Sequence, residues 1–223
     1  MMYMYGKAGS IIMDASSLFF LAGILIYTSM YRKRGRLDDR IFTAMIFVNM
    51  VYVIAELMSY TLEGLSIPFM RDLMVVENTV VYAAMVLFPY LFMLYTDFRA
   101  FYDPQRLRRV ALWYGIPCLV YFAVLGLNLI TGWIFTIDES CMFIDGPIDQ
   151  IVFIPIFFYV ALSLFRVYRI DIRLVYLGIL LSVVRILWDL WFRPIQSTTF
   201  IYTLYLAVAH IHAMNQPLAE DNP

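Results

Sequence analysis

Long apolar runs with few charges recur along the chain, and they constrain its fold more than any other feature. Short polar gaps separate the runs. Hydrophobic residues make up 63% of the sequence and charged residues only 15%, a balance that soluble domains do not have. We therefore predict an all-α membrane protein, a seven-transmembrane helical bundle. The predicted spans are 11–31, 41–62, 69–95, 110–129, 151–167, 174–193 and 198–213.

Lysine and arginine are concentrated in the first, third and fifth gaps between these spans. Basic loops favour the cytoplasmic side, so we predict the N-terminus outside and the C-terminus in the cytoplasm. All three basic gaps fall on one side only if the spans are counted correctly. We expect the gaps to attract anionic lipid head groups. They hold twelve of the 16 basic residues: Arg32, Lys33, Arg34, Arg36, Arg40, Arg99, Arg106, Arg108, Arg109, Arg166, Arg169 and Arg173.

The longest gap lies on the outer side between spans four and five. It contains two alternating segments, WIFTID and CMFID, which are joined near Glu139 and Ser140 and closed by Gly146 and Pro147. Alternation bounded by turn residues is typical of short strands. We therefore predict a small β-hairpin that covers the outer end of the bundle as a lid.

Span six carries Arg185 and Asp189 four residues apart within its apolar run. A charge at the bilayer centre costs about 2.5–3.5 kcal/mol on insertion scales, so such residues face a bundle interior. Acidic residues of spans one, two and three, with Asp14 near the outer end of span one, fall in the same outer half. We predict a ligand-binding pocket there. Its candidate residues are Glu56, Glu77, Asn78, Tyr82, Arg185, Trp188 and Asp189.

Two interpretations of these charges stay open. In the first, Arg185 pairs with Glu56 or Glu77 when the pocket is empty, and a ligand competes for those partners. In the second, Arg185 and Asp189 neutralise each other along their own helix, and the glutamates lie in interfacial water. Trp188 likewise belongs either to an aromatic wall for a cationic ligand or to an interfacial aromatic belt.

The sequence argues against several classes of function. A retinal pigment needs a lysine within a span, and Lys7 and Lys33 both lie outside the spans. Seven-helix zinc hydrolases need several intramembrane histidines, whereas this chain has two, His210 and His212, which point to different helix faces. No nucleophile and base occur at a sensible spacing. We predict no catalytic residues, metal site or cofactor, and no nucleic-acid partner.

Several motifs together resemble the N-terminal seven-helix sensor regions of bacterial signalling proteins. They are the basic turn before Phe42, Pro68 ahead of span three, the segment FPYLFMLYTDF that ends that span, and WIFTID followed by FIDGP. In that group the last span leads into a cytoplasmic diguanylate cyclase (GGDEF), histidine kinase or DNA-binding output domain. The resemblance implies a location in the bacterial cytoplasmic (inner) membrane.

We expect a sensor domain over 1–213 and a short cytoplasmic tail over 214–223. The sensor would bind an extracytoplasmic or lipid-borne small molecule and transmit helix movement to a cytoplasmic signalling partner or through a homodimer. No output domain follows the tail in this sequence, so the chain is either a module of a longer protein or a stand-alone sensor. The alternative is a small transporter or permease subunit, in which the same polar residues would line a path for the substrate.

Overall fold

The computed structural model describes residues 2–31, 37–65 and 69–170. Five helices in these ranges are long and apolar enough to cross a membrane, as expected of a multi-pass membrane protein. Predicted spans six and seven lie outside the described residues, and the structure does not support the count of seven. The elements are α1 (Met2–Tyr31), α2 (Leu37–Leu62), α3 (Met70–Phe101), α4 (Pro104–Thr131), β1 (Phe135–Ile137), β2 (Phe143–Asp145), a 3₁₀ helix (Asp149–Val152) and α5 (Phe153–Ile170).

The turn between α3 and α4 is only two residues long, and its sequence explains why. Tyr102 ends α3 in the left-handed conformation, with φ of 51°. Asp103 then caps α4, because its carboxylate accepts hydrogen bonds from the backbone N–H groups of Gln105 and Arg106 at 2.8 and 3.0 Å. Pro104 occupies the first helical position, where its missing N–H costs nothing. α3 and α4 are therefore connected without a loop.

α3 is longer than predicted. The sequence placed the end of span three at residue 95, where the apolar run stops, but the helix continues to Phe101. Asp97 and Arg99 in this extension are 1% and 4% exposed. The prediction was wrong here because it treated charged residues as the start of a loop, whereas ion pairs keep them inside the bundle.

α3 is the central helix of the described part. It packs against α2, α4 and α5, while α1 packs against α2. One apolar core joins α3, α4 and α5 to the hairpin, and a second joins α1, α2 and α3. The first core includes Met74, Val86, Leu125, Phe135 and Tyr159. A conformational change of α3 would therefore reach most of the other described elements.

The predicted hairpin is present between α4 and α5. β1 and β2 pair in antiparallel register, with Phe135 opposite Asp145 and Ile137 opposite Phe143. The turn between α2 and α3 lies beside it, since the N–H of Gly64 donates to the carbonyl of Cys141 at 3.2 Å. We call this end of the bundle the hairpin end.

At the opposite end, which we call the basic end, ion pairs connect α2, α3, α4 and α5. Arg99 near the end of α3 pairs with Asp38 at the start of α2, and Arg166 near the end of α5 pairs with Asp97 of α3. The helices therefore alternate in direction, and the segments around the predicted basic gaps meet at one end. This agrees with the arrangement predicted from the basic residues.

Candidate functional site

The structure describes four of the seven residues predicted to bind a ligand. Glu56 lies on α2, and Glu77, Asn78 and Tyr82 lie on α3. The first three are buried, and Tyr82 is partly buried. The predicted pairing of the span-six arginine with the glutamates stays a prediction. The other predicted residues lie outside the described part of the chain: Arg185, Trp188 and Asp189.

Two carboxyl groups meet in the contact between α1 and α2 at the hairpin end. Asp14 is 2% exposed and interacts electrostatically with Glu56, which is 8% exposed. Tyr60, one turn further along α2, forms hydrogen bonds with Glu56 and with Ser10 of α1. The Oδ2 atom of Asp14 is buried and has no hydrogen-bond partner among the described residues. Adjacent carboxylates away from water need a proton or a cation to neutralise them.

Glu77 lies at the contact between α3 and α2. It is 4% exposed, and neither carboxylate oxygen makes a hydrogen bond of good geometry within the described part. Ser59 of α2 is close enough to interact with it. The ion pairs of the described residues do not include Glu77. Buried carboxyl groups are normally fully hydrogen-bonded or paired with a cation, so the surroundings of Glu77 require an explanation.

Asn78 and Tyr82 are occupied by contacts with other parts of the fold. The side-chain amide of Asn78 donates to the carbonyl of Met74 one turn earlier, at 2.9 Å. The ring of Tyr82 stacks on Phe135 of the hairpin, with ring centroids 5.2 Å apart and planes 17° apart. In the described structure these two residues support the helix and the hairpin, and their role in ligand binding stays a prediction.

Asn128, near the end of α4, attaches the hairpin to that helix. Its Oδ1 atom accepts hydrogen bonds from the backbone N–H groups of Ile134 and Phe135, at 2.6 and 3.2 Å. Its amide donates to the carbonyl of Phe135 at 3.2 Å. Because Asn128 is 4% exposed, these bonds are shielded from water. One buried side chain thus fixes the position of the first strand.

Further contacts attach the hairpin to α3 and close it on itself. Arg71, at the start of α3, donates from Nε to the carbonyl of Ile137 at 3.0 Å. A Cβ atom at Gly146 would lie 2.2 Å from the carbonyl oxygen of Trp133, so only glycine allows this close approach. The hairpin is therefore a packed cap on the bundle, as the prediction of a lid requires.

The turn of the hairpin is organised by the exposed carboxylate of Asp138. It accepts hydrogen bonds from the backbone N–H of Met142 and from the hydroxyl of Ser140, both at 2.8 Å. These hydrogen bonds, that of Met142 first, hold the pKa of Asp138 below its ordinary value of 3.8. The ionised form of Asp138 therefore stabilises the turn.

The basic end contains a buried ion-pair cluster that the sequence analysis missed. Asp97 accepts a hydrogen bond from Nε of Arg166 at 2.6 Å and pairs with Arg106 at 3.4 Å. Arg99 pairs with Asp38 at 3.4 Å. The Arg106 guanidinium also lies over the ring of Phe101, 3.7 Å from its centroid. The available signal was the presence of Asp38 and Asp97 beside the basic gaps.

This cluster corrects part of the prediction for the basic gaps. Arg99 and Arg166 are 4% and 6% exposed, so they face carboxylates inside the bundle and not lipid head groups. Arg40, Arg108 and Arg109 are exposed. Among these described residues, the prediction of lipid contact therefore still applies to those three. Other basic residues of the prediction lie outside the described part of the chain: Arg32, Lys33, Arg34, Arg36 and Arg173.

No group of three or more His, Cys, Asp or Glu side chains within the described ranges is arranged to hold a metal ion. Comparisons with protein-family models, with curated proteins and with solved structures found no match to this chain. The resemblance to bacterial sensor regions thus stays a prediction. Function must be argued from the buried groups at the two ends of the bundle.

Proposed function

We propose that the chain is a sensory module of the bacterial cytoplasmic membrane that binds a ligand at the hairpin end and transmits helix movement to the basic end. In this proposal it has seven spans, an outer N-terminus and a cytoplasmic C-terminus. The alternating helices and the exposed basic residues Arg40, Arg108 and Arg109 support that orientation. No catalytic step is assigned to the chain itself, and any activity would belong to a cytoplasmic domain or partner.

The observation that carries the proposal is the buried carboxyl group of Glu77, which has Ser59 beside it but no ion-pair partner among the described residues. Burying a carboxylate without a counter-charge is unfavourable, and ionisable residues within spans mark functional sites by default. Asp14 and Glu56 lie in the neighbouring contact, so three acidic residues from three helices face the interior of the same end. Arg185 is the proposed counter-ion of Glu56 or Glu77 when no ligand is bound.

α3 offers a physical route from the ligand to the output. It carries Glu77 near the hairpin end and Asp97 at the basic end, where Arg166 and Arg106 hold it. A ligand changes such a bundle only if it binds two arrangements with different affinity. Movement of α3 would change the distances from Asp97 to the two arginines, which lie on α5 and α4 and so reach the cytoplasmic side.

The middle of the described bundle favours sensing over transport. Between the two polar ends, the buried side chains of α2 and α3 are mostly apolar, and they include Met45, Ile46, Val53, Val86 and Met93. A transport path would need polar groups along this section, where Asn49 is the buried polar residue of α2. A pocket closed at its base fits this arrangement better than a channel.

The proposal can be tested with a reporter fused after Pro223. Glu77→Gln and Arg185→Ala should each change the reporter output while the protein still inserts into the membrane. Glu139→Gln is the matched control, because Glu139 is exposed at the tip of the hairpin. Output that is the same in all three variants and in the unmodified chain would reject the sensory function.

A further inference from the structure

The three acidic residues at the hairpin end surround one seam of the bundle. On α2, Ser59 and Tyr60 follow Glu56 by three and four residues, so they lie on either side of the direction in which Glu56 points. Tyr60 contacts α1 through Ser10, and Ser59 is close to Glu77 of α3. Glu56 therefore lies between the contact that α2 makes with α1 and the contact that it makes with α3, and we call this region the seam.

Unused acceptor atoms border this seam on two sides. On the α1 side, Oδ2 of Asp14 is buried without a hydrogen-bond partner among the described residues, and Asp14 is 2% exposed. On the α3 side, both carboxylate oxygens of Glu77 are buried and make no hydrogen bond of good geometry within the described part, and Glu77 is 4% exposed. Glu56 borders the α1 side of the seam, and Ser59 borders the α3 side. These two residues are three positions apart on α2, which corresponds to a rise of about 4.5 Å along the helix.

Hydrogen-bond donors that carry a positive charge would neutralise these carboxyl groups and satisfy their acceptor atoms. A metal ion would require oxygen ligands that converge on one point, and no such group occurs within the described ranges. An alkylammonium group supplies three N–H donors and a full charge in a compact form. A diamine carries two ammonium groups, one for each side of the seam.

We propose that the seam lined by Asp14, Glu56 and Glu77 binds a short aliphatic amine, and that a diamine fits it best. One ammonium group binds between Asp14 and Glu56, and the other binds Glu77. Tyr60 positions the carboxylate of Glu56 through its hydrogen bond. This inference rests on the proposed function, since it names the chemical class of the ligand that the same site senses.

The test is calorimetric titration of the full chain, purified in detergent, with putrescine as the probe. Butylamine carries one ammonium group, and 1,4-butanediol has similar length with no charge. We expect saturable binding of putrescine, weaker binding of butylamine and none of the diol. Glu77→Gln should weaken putrescine binding by about tenfold or more, as should Asp14→Asn, because each removes a charge-assisted hydrogen bond.

Glu139→Gln is the matched control, since it makes the same chemical change at an exposed position of the hairpin; its affinity for putrescine should equal that of the unmodified chain. Equal heats from putrescine, butanediol and sodium chloride would overturn the proposal, as would unchanged affinity in folded Glu77→Gln and Asp14→Asn. The reporter separates this failure from failure of the sensory function. A reporter that depends on Glu77 while no amine binds overturns the amine class alone, and amine binding with a constant reporter overturns sensing alone.

Discussion

The two ends of the described bundle bury carboxylates in opposite ways. At the basic end, Asp97 lies between two guanidinium groups, and Asp38 is paired with Arg99. At the hairpin end, Asp14 and Glu77 are as deeply buried, yet neither has an ion-pair partner among the described residues. Both ends depart from the apolar composition of the spans, but within the described ranges only the basic end pairs its buried carboxylates with cations.

This difference separates a structural use of buried charge from a binding use. Breaking a buried ion pair leaves an uncompensated charge and is strongly destabilising, so paired groups such as Asp97 and Arg166 hold helices in place. A buried carboxyl group without a partner contributes no such attachment. Such a group can bind a ligand that arrives from outside, which is the role that we propose for Glu77.

The largest expected effect is at the basic end. Asp97→Asn keeps the size of the side chain but removes the charge that Arg166 and Arg106 share. Because Arg166 is 6% exposed, it would become a buried unpaired cation, and we expect the free energy of unfolding to fall by about 3–5 kcal/mol. Denaturant titration in mixed micelles, followed by circular dichroism, measures this change.

Asp103→Asn is the matched control for that measurement. Asp103 lies six residues after Asp97 and is exposed. Its carboxylate caps α4 by accepting hydrogen bonds from backbone N–H groups. Asparagine is about as good a cap as aspartate, so Asp103→Asn should have little effect on the free energy of unfolding. Equal stability losses in Asp97→Asn and Asp103→Asn would show that the ion pairs do not hold the basic end together.

A smaller loss is expected at the attachment of the hairpin. Asn128→Ala removes three buried hydrogen bonds and leaves the N–H groups of Ile134 and Phe135 without their acceptor. We expect the free energy of unfolding to fall by about 1–3 kcal/mol. Hydrogen exchange should become faster at those two amides. Thr131→Ala, at an exposed position of the same helix, should leave both quantities nearly unchanged.

Much of this comparison was predictable from the sequence, though not its decisive contacts. Apolar runs located all five described helices, and alternation with turn residues located the hairpin. The pairing of Asp97 with Arg166 was not predictable, because the two residues are 69 positions apart and periodicity carries no information on which helices touch. For the same reason, Asp14 was placed near the outer end of span one but was not included among the candidate site residues.

The stacking of Tyr82 on Phe135 was missed for a related reason. The sequence placed Tyr82 in the same half of the bundle as the hairpin, and the structure confirms this, since its ring contacts Phe135. Whether its ring would border a pocket or support the hairpin depended on how that hairpin folds back over the helix. The position of a residue along its helix can be predicted from the sequence. Which residue of another element contacts it there depends on how the elements pack.

Glu77→Gln should have a small effect on stability, in contrast to Asp97→Asn. No cationic partner within the described ranges loses an interaction, the amide oxygen of glutamine can still accept from Ser59, and a neutral amide is less costly to bury than a carboxylate. We expect the free energy of unfolding to rise or to change by less than about 1 kcal/mol. The same denaturant titration measures it, with Glu139→Gln as the exposed reference. A loss as large as that of Asp97→Asn would mean that a cationic group of the intact chain holds Glu77, and the contrast between the two ends would disappear.

The smallest expected effect concerns Asp138, whose carboxylate is satisfied by N–H and O–H donors instead of by an arginine. Hydrogen bonds hold its pKa in the folded protein below 3.8, so its contribution to the turn is present above pH 3.8. That contribution is lost as the pH falls through the folded pKa. We expect the protection of the Met142 amide from hydrogen exchange, corrected for intrinsic rates, to decrease at such acidic pH. In Asp138→Asn this pH dependence should be absent, because the amide has no proton to gain. If the two proteins lost protection in parallel, the turn would not favour the ionised form of Asp138, and its carboxylate would contribute nothing comparable to the ion pairs of the basic end.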